Sequence, residues 1–166
     1  YELYRARRGP AVGTILAIEG GPGYATTASR DYYLQLFAPL LDRRNLLLVD
    51  ARGTGRSGAI DCPRLQSYRG GYLDGVARCG RQLGPASDLY GSAFAADDIA
   101  AVLDHLGVAR VDVYGDSYGT FLGQTFAVRH PDRVRTVTLD AAYPVAGLNP
   151  WYPDLNRALR ASFRRV

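Results

Sequence analysis

Short apolar runs alternate along this chain with stretches in which apolar residues recur every three or four positions, the two periods that separate buried strands from amphipathic helices. Thr14 to Ile18 and Leu46 to Val49 are continuous apolar runs, the form taken by parallel strands covered on both faces. Val111 to Tyr114 and Arg133 to Leu139 read as two further strands, the second ending at Asp140, and Tyr1 to Arg8 as a strand at the start. Between them, Tyr33, Leu36, Phe37, Leu40 and Leu41 predict a helix over 29–41 that Pro39 kinks or ends. Ile99, Val102, Leu103 and Leu106 predict a helix from Ser92 that stops at Gly107. A third helix follows Ser117 and ends at His130-Pro131. Its Gly119, Gly123 and Ala127 fall at i, i+4 and i+8, a smooth stripe for close packing on a sheet. Strands and helices in this alternation give the α/β class, with a doubly wound parallel sheet and right-handed crossovers.

The stretch from Cys62 to Gly91 has no sustained period and many Gly and Arg residues, and reads as a long irregular excursion from the sheet. Cys62 and Cys79 both fall inside it. Neither has a C-x-x-C partner or a nearby histidine, which argues against zinc. A disulfide closing the excursion is preferred over two free thiols, and it implies an oxidising compartment. After Asp140, residues 143–153 are rich in proline and aromatics, and 155–166 read as a short basic helix.

Composition narrows the function classes. The 166 residues carry a net charge of +4 and suffice for one globular unit. Every basic residue is arginine, which reads as GC-rich codon bias, and the arginines are scattered among aspartates. Only Arg157, Arg160, Arg164 and Arg165 cluster, as a solvated helix face. No basic stripe of the kind nucleic-acid binders carry is present, so no nucleic-acid partner is expected. No apolar run reaches membrane-spanning length. The lack of any methionine leads us to expect a fragment or a processed chain.

The candidate chemistry lies at strand ends. Gly115-Asp116-Ser117-Tyr118-Gly119 is a G-x-S-x-G element between a strand and a helix, where a sharp turn holds the serine hydroxyl out above the sheet. A β-carbon at Gly115 or Gly119 would collide with neighbouring backbone, so the glycines are a steric requirement. The plainer reading is a helix N-cap serine after a glycine turn. Gly20-Gly21-Pro22-Gly23 follows the first buried strand and can either turn an unshielded backbone N–H towards a developing negative charge or serve as a tight turn. Residues 50–58 contain a literal G-x-G-x-x-G, but Gly58 leads into Ala-Ile-Asp-Cys-Pro rather than a helix, so a dinucleotide site is rejected and no cofactor is expected.

Taken along the chain as 20–23, then 50–57, then 115–119, each just after a buried strand, these three stretches resemble the α/β-hydrolase fold. More narrowly they resemble the proline iminopeptidase and tripeptidyl aminopeptidase group of serine exopeptidases, with a likeness running from Thr14 to about Pro144. The resemblance implies Ser117 as nucleophile, and the backbone N–H groups of Gly21 and Tyr118 as oxyanion donors; the latter also follows from the mechanics of the turn. The paired cysteines are similar to those of secreted, tripeptidyl-type members. Where iminopeptidases often carry histidine before the oxyanion glycines, this chain has Glu19, a loop residue with the alternative role of binding a substrate ammonium.

A serine nucleophile needs a base and an acid, which on this fold follow it in the order Ser, Asp, His. His105 precedes Ser117, and His130 lies at the far end of the following helix, about 20 Å away at 1.5 Å per residue. Neither fits the role. Asp140 ends the strand after the nucleophile, where a minority of hydrolases of this fold keep their acid, and is an alternative acid, although the resembling families place theirs a strand later. The expectation is thus an incomplete α/β-hydrolase core over 1–144 and the start of a cap over 145–166, with the later strands, acid and base beyond Val166. Such a chain would be inactive alone, and its partner would be the rest of the same protein. The function expected of the whole is removal of residues or short peptides from peptide N-termini. The alternatives are an esterase or other small-molecule hydrolase, and a non-catalytic binding protein on the same fold.

Overall fold

The computed structural model describes residues 1–67, 70–145, 157, 160, 161, 163 and 164. Its strands are β1 (Glu2–Tyr4), β2 (Thr14–Ile18), β3 (Asn45–Leu48), β4 (Val111–Asp116) and β5 (Val134–Asp140), ordered β1-β3-β2-β4-β5 in one sheet. β3, β2, β4 and β5 are mutually parallel, while β1 pairs antiparallel with β3 at the edge. The sheet is therefore mixed, mostly parallel. The helices are α1 (Arg30–Leu36), α2 (Pro63–Gln66), α3 (Tyr72–Leu83), α4 (Ser92–Leu106) and α5 (Tyr118–Arg129).

The continuous apolar runs bury both faces of the central strands. Leu16, Ile18, Leu47, Val49, Val111 and Val113 meet α4 and α5, packing against Ala96, Ile99, Leu103, Leu122 and Phe126. Their neighbours Ile15, Ala17, Leu46, Leu48 and Tyr114 face the other way, onto Tyr33 of α1 and Leu41. A fully buried Leu such as Leu16, Leu47 or Leu103 contributes about 2 kcal/mol, so these two layers carry the stability. β5 is different, being exposed along all but its first residue.

The layering fixes where a site can form. From β2 the chain passes to α1 on one face, and from β4 to α5 on the other, although β2 and β4 are adjacent. Open α/β sheets place a crevice at the carboxyl ends of two such strands, because their following segments diverge. The segments that flank it are Glu19–Gly23 and Asp116–Tyr118.

Two expectations need correction. The helix predicted over 29–41 runs only over Arg30–Leu36, because Pro39 disfavours helical backbone at the residue before it and the chain turns away first. The excursion over 62–91 is not irregular, for it holds α2, α3 and a 3-10 turn at Gly84–Tyr90. Its helix α3 buries Gly75, which lies against Leu65 of α2. Leu73, Val76, Cys79 and Leu83 do recur at helical spacing, but Leu73 and Val76 stay exposed, so this stripe is not buried in the core. Cys62 and Cys79 form the expected disulfide, tying the start of α2 to α3 with 17 residues of separation. Of the expected tail, Arg157, Arg160 and Arg164 are exposed, while residues 146–156, Arg165 and Val166 lie outside the described residues. Among the described residues no helix is long and apolar enough to cross a membrane.

Candidate active site

β4 runs directly into the serine turn. Ser117 has φ 49° and ψ −121°, a conformation that costs a residue with a β-carbon on the order of 1–3 kcal/mol and that only surrounding contacts can hold. Those contacts are present. The Ser117 amide donates to the Asp140 carbonyl at 2.9 Å, and the Ser117 carbonyl accepts from the Thr120 amide at 3.0 Å and the Thr120 hydroxyl at 2.6 Å. The same hydroxyl accepts the Tyr143 amide at 2.8 Å, so the turn is locked to the segment after β5. Thr120 is fully buried. The Ser117 side chain makes no capping hydrogen bond to α5, which removes the plain N-cap reading of this serine.

The flanking glycines are demanded by space. A β-carbon on Gly115 would lie 2.3 Å from the Gly119 carbonyl oxygen, and one on Gly119 would lie 2.1 Å from that of Ile18. Strand, turn and helix thus press backbone on backbone, bringing the start of α5 onto the end of β2.

The Gly20–Gly23 loop forms the opposite wall. Gly20 is buried, and a β-carbon there would sit 3.1 Å from the Ser117 β-carbon. Gly21 has φ +118°, which a side chain would oppose, and its peptide to Pro22 is cis. The Gly20 amide donates to Glu19 Oε1 at 2.9 Å, so Glu19 folds back on its own loop. Tyr118 faces the crevice from the other side. Its hydroxyl shares a 2.8 Å hydrogen bond with Ser92 Oγ, tying the first residue of α5 to the start of α4.

The crevice is acidic. Asp116 Oδ1 accepts the Tyr33 hydroxyl at 3.0 Å. Burial, with Glu19 and Asp140 adding to it, pushes the Asp116 carboxyl above the usual carboxylate range, while the Tyr33 hydrogen bond works against the rise. Burial raises the Tyr33 phenol, with the Glu19 and Asp116 carboxylates adding to it. The Asp140 carboxylate accepts the Tyr114 hydroxyl at 2.9 Å.

The second motif is scaffolding. Asp50 accepts the Thr27 amide at 2.8 Å, the Thr27 hydroxyl at 2.9 Å and the Arg56 amide at 2.9 Å. Burial pushes its carboxyl up, but these hydrogen bonds outweigh burial and leave it below its ordinary range. Arg52 grips Asp98 of α4 with two 2.7 Å hydrogen bonds, donates to the Leu89 carbonyl at 2.8 Å, and lies over the Phe94 ring.

The structure therefore brings together Ser117, Tyr118, Gly20 and Gly21, with Asp140 held to the turn through its backbone. It does not bring in a histidine. His130 shares a 2.9 Å hydrogen bond with Asp97 beyond the end of α5, and the His105 ring lies 6.1 Å from that of Tyr1. Among the described residues no group of His, Cys, Asp and Glu could hold a metal ion. Sequence reasoning missed Thr120 and Tyr33 as supports of the turn. Thr120 left one signal, a polar residue next to Gly119 on the face that packs on the sheet.

Comparison with known proteins agrees with this geometry. A protein provisionally named a proline iminopeptidase, from Mycoplasma pneumoniae, is 29% identical over 144 residues, which are 86% of this chain and 37% of that protein. A 2-hydroxymuconate semialdehyde hydrolase of Pseudomonas putida is 40% identical over 55 residues, covering 33% of this chain and 20% of the relative. The crystal structure of an α/β-hydrolase enzyme from a Medee basin deep-sea metagenome library superposes with a TM-score of 0.60 at 18% identity, covering 99% of this chain and 47% of that one. The chain thus spans less than half the length of each. The family model for the α/β-hydrolase fold matches residues 13–165, and the chain belongs to that family.

Proposed function

We propose that Ser117 is the nucleophile of a serine hydrolase. The observation that carries this is the turn itself. A serine is held at positive φ between two glycines that tolerate no β-carbon, its side chain makes no capping bond, and Gly20 stands against its β-carbon. Strain of this sort persists at a site where a side chain must be presented.

In the proposed mechanism Ser117 Oγ attacks the carbonyl carbon of a substrate lying in the crevice. The oxygen of the tetrahedral intermediate is met by the backbone N–H groups of Gly21 and Tyr118. One such donor is worth roughly 3–4 kcal/mol in the transition state. Collapse expels the amine or alcohol and leaves an acyl-serine, which water then hydrolyses. Neither histidine of these 166 residues stands at Ser117, so the base, and with it the favoured acid, comes from elsewhere and this polypeptide alone is inactive. Asp140 is a secondary candidate for the acid; its carboxylate is already engaged by Tyr114.

The substrate class we favour is peptides with free N-termini, hydrolysed by an aminopeptidase-like enzyme. The Gly20-Gly21-Pro22-Gly23 loop and the similarity to the provisionally named iminopeptidase support it. A second reading, a hydrolase of small non-peptide molecules, is supported by the similarity to the semialdehyde hydrolase. The disulfide supports an exported protein. Comparing kcat/KM of the intact gene product on peptides with free and blocked N-termini, and on aryl esters, tests the assignment. Hydrolysis confined to free N-termini supports the aminopeptidase; equal rates on blocked peptides, or turnover of esters alone, refutes it.

A further inference from the structure

Two walls of the crevice carry a carboxyl group each, and both face one phenol. Tyr33 is wholly buried, and its hydroxyl donates to Asp116 Oδ1 at 3.0 Å. The Glu19 carboxylate acts on the same hydroxyl, while Glu19 Oε1 accepts the Gly20 amide at 2.9 Å. Asp116 immediately precedes Ser117, and Glu19 immediately precedes the glycine loop. The phenol therefore stands between the two segments whose separation sets the crevice.

Packing alone does not explain the hydroxyl. The Tyr33 ring stacks on Phe37 with 9° between planes and meets Tyr114 edge-on at 6.3 Å, contacts that phenylalanine would make equally well. What phenylalanine lacks is a proton to place between like charges. We propose that Tyr33 is a positioning residue: its hydroxyl, donated to Asp116, fixes the segment against which Gly20 lies, and so holds the Ser117 turn in register with the glycine loop.

The catalytic consequence rests on the nucleophile reading given above; the structural one does not. The groups that bear on Asp116 are Glu19 from the loop after β2, Tyr33 from α1 and Asp140 from β5; Tyr114 adjoins Asp140, and Tyr32 adjoins Tyr114. The charged ones among them are negative, so nothing replaces the phenol proton when it is removed. Asp116 then rises further above its ordinary range. A carboxyl raised in the folded state contributes stability at low pH that is lost as pH climbs through its folded value. The cost of losing the hydroxyl must therefore grow with pH.

The test compares wild type, Tyr33→Phe, Asp116→Asn and the double variant in the intact gene product. Thermal unfolding is followed at about pH 3.5, below the ordinary aspartate pKa of about 3.9, and at about pH 8. A fluorophosphonate probe reports the labelling rate of Ser117. The expected result is a gap in Tm between wild type and Tyr33→Phe that is wider at the higher pH and closes in the Asp116→Asn background. Labelling should slow by about tenfold or more in Tyr33→Phe, as expected for a misplaced reacting group, and recover in the double variant. A gap that is the same at both pH values and untouched by Asp116→Asn would overturn the proposal. Wild type that takes no label contradicts the nucleophile reading, while the unfolding comparison still decides the role of Tyr33.

Discussion

The Thr120 hydroxyl lies 2.6 Å from the Ser117 carbonyl oxygen and donates to it, while accepting the Tyr143 amide at 2.8 Å. One buried hydroxyl thus ties the serine turn to the chain that leaves β5. Thr120→Val keeps the shape but leaves the Ser117 carbonyl one donor short and the Tyr143 amide without its partner. A loss of about 1–3 kcal/mol in urea denaturation is expected, the usual cost of orphaning a buried polar group. Thr120→Ser, which retains the hydroxyl, should recover most of it.

Backbone contact at the turn sets a second expectation. Gly119→Ala would place a β-carbon 2.1 Å from the Ile18 carbonyl oxygen, and neither α5 nor β2 can yield without disturbing the core. Destabilisation of about 3 kcal/mol, at the upper end for overpacking, should appear as a lowered denaturation midpoint. Gly80→Ala on α3 is the control, since nothing lies within 4 Å of the added atom.

Asp50 should govern part of the acid response. Its folded carboxyl lies below its ordinary range because the Thr27 and Arg56 hydrogen bonds outweigh burial. The stability it contributes is therefore fully present above its unfolded pKa of about 3.9 and is lost as pH falls through the lower folded value. Asp50→Asn should cost about 2 kcal/mol at neutral pH, as for hydrogen bonds to a charged group. The difference from wild type should shrink as pH falls below about 3.9, where the unfolded state takes up the proton, and level off below the lower folded value, where both states do. Denaturation midpoints measured from neutral to acid pH check both.

The Cys62–Cys79 bridge spans 17 residues, and closing a loop of that size contributes about 3 kcal/mol through the unfolded chain. Reduction, or Cys79→Ser, should lower Tm and open α2 and α3 to proteolysis before the sheet. Simultaneous loss of both regions would contradict an excursion held chiefly by its bridge.

Much of the architecture was legible because local patterns state it. Thr14–Ile18 and Leu46–Val49 could be read as doubly covered strands, and Gly115-Asp116-Ser117-Tyr118-Gly119 as a turn, since each depends on residues close in sequence. α3 was missed although Leu73, Val76, Cys79 and Leu83 recur at helical spacing, because interspersed Gly and Arg residues mask the run and the stripe stays largely outside the core. The supports of the turn were not legible either. Ser117 leans on Asp140, Thr120 on Tyr143, and Asp116 on Tyr33 across 83 residues. Such pairings exist only once β4 lies between β2 and β5. The strand at the start was read over residues 1–8 and is present as Glu2–Tyr4, but its antiparallel place at the sheet edge was not legible, since pairing direction is a tertiary outcome.

The central claim is that Ser117 is presented for nucleophilic attack, and it is tested most directly by treating the intact gene product with a fluorophosphonate and locating the adduct by peptide mass mapping. The expected result is a single adduct on the peptide containing Ser117, absent from a folded Ser117→Ala variant. A folded protein that takes no label, or an adduct that persists in Ser117→Ala, would contradict the account.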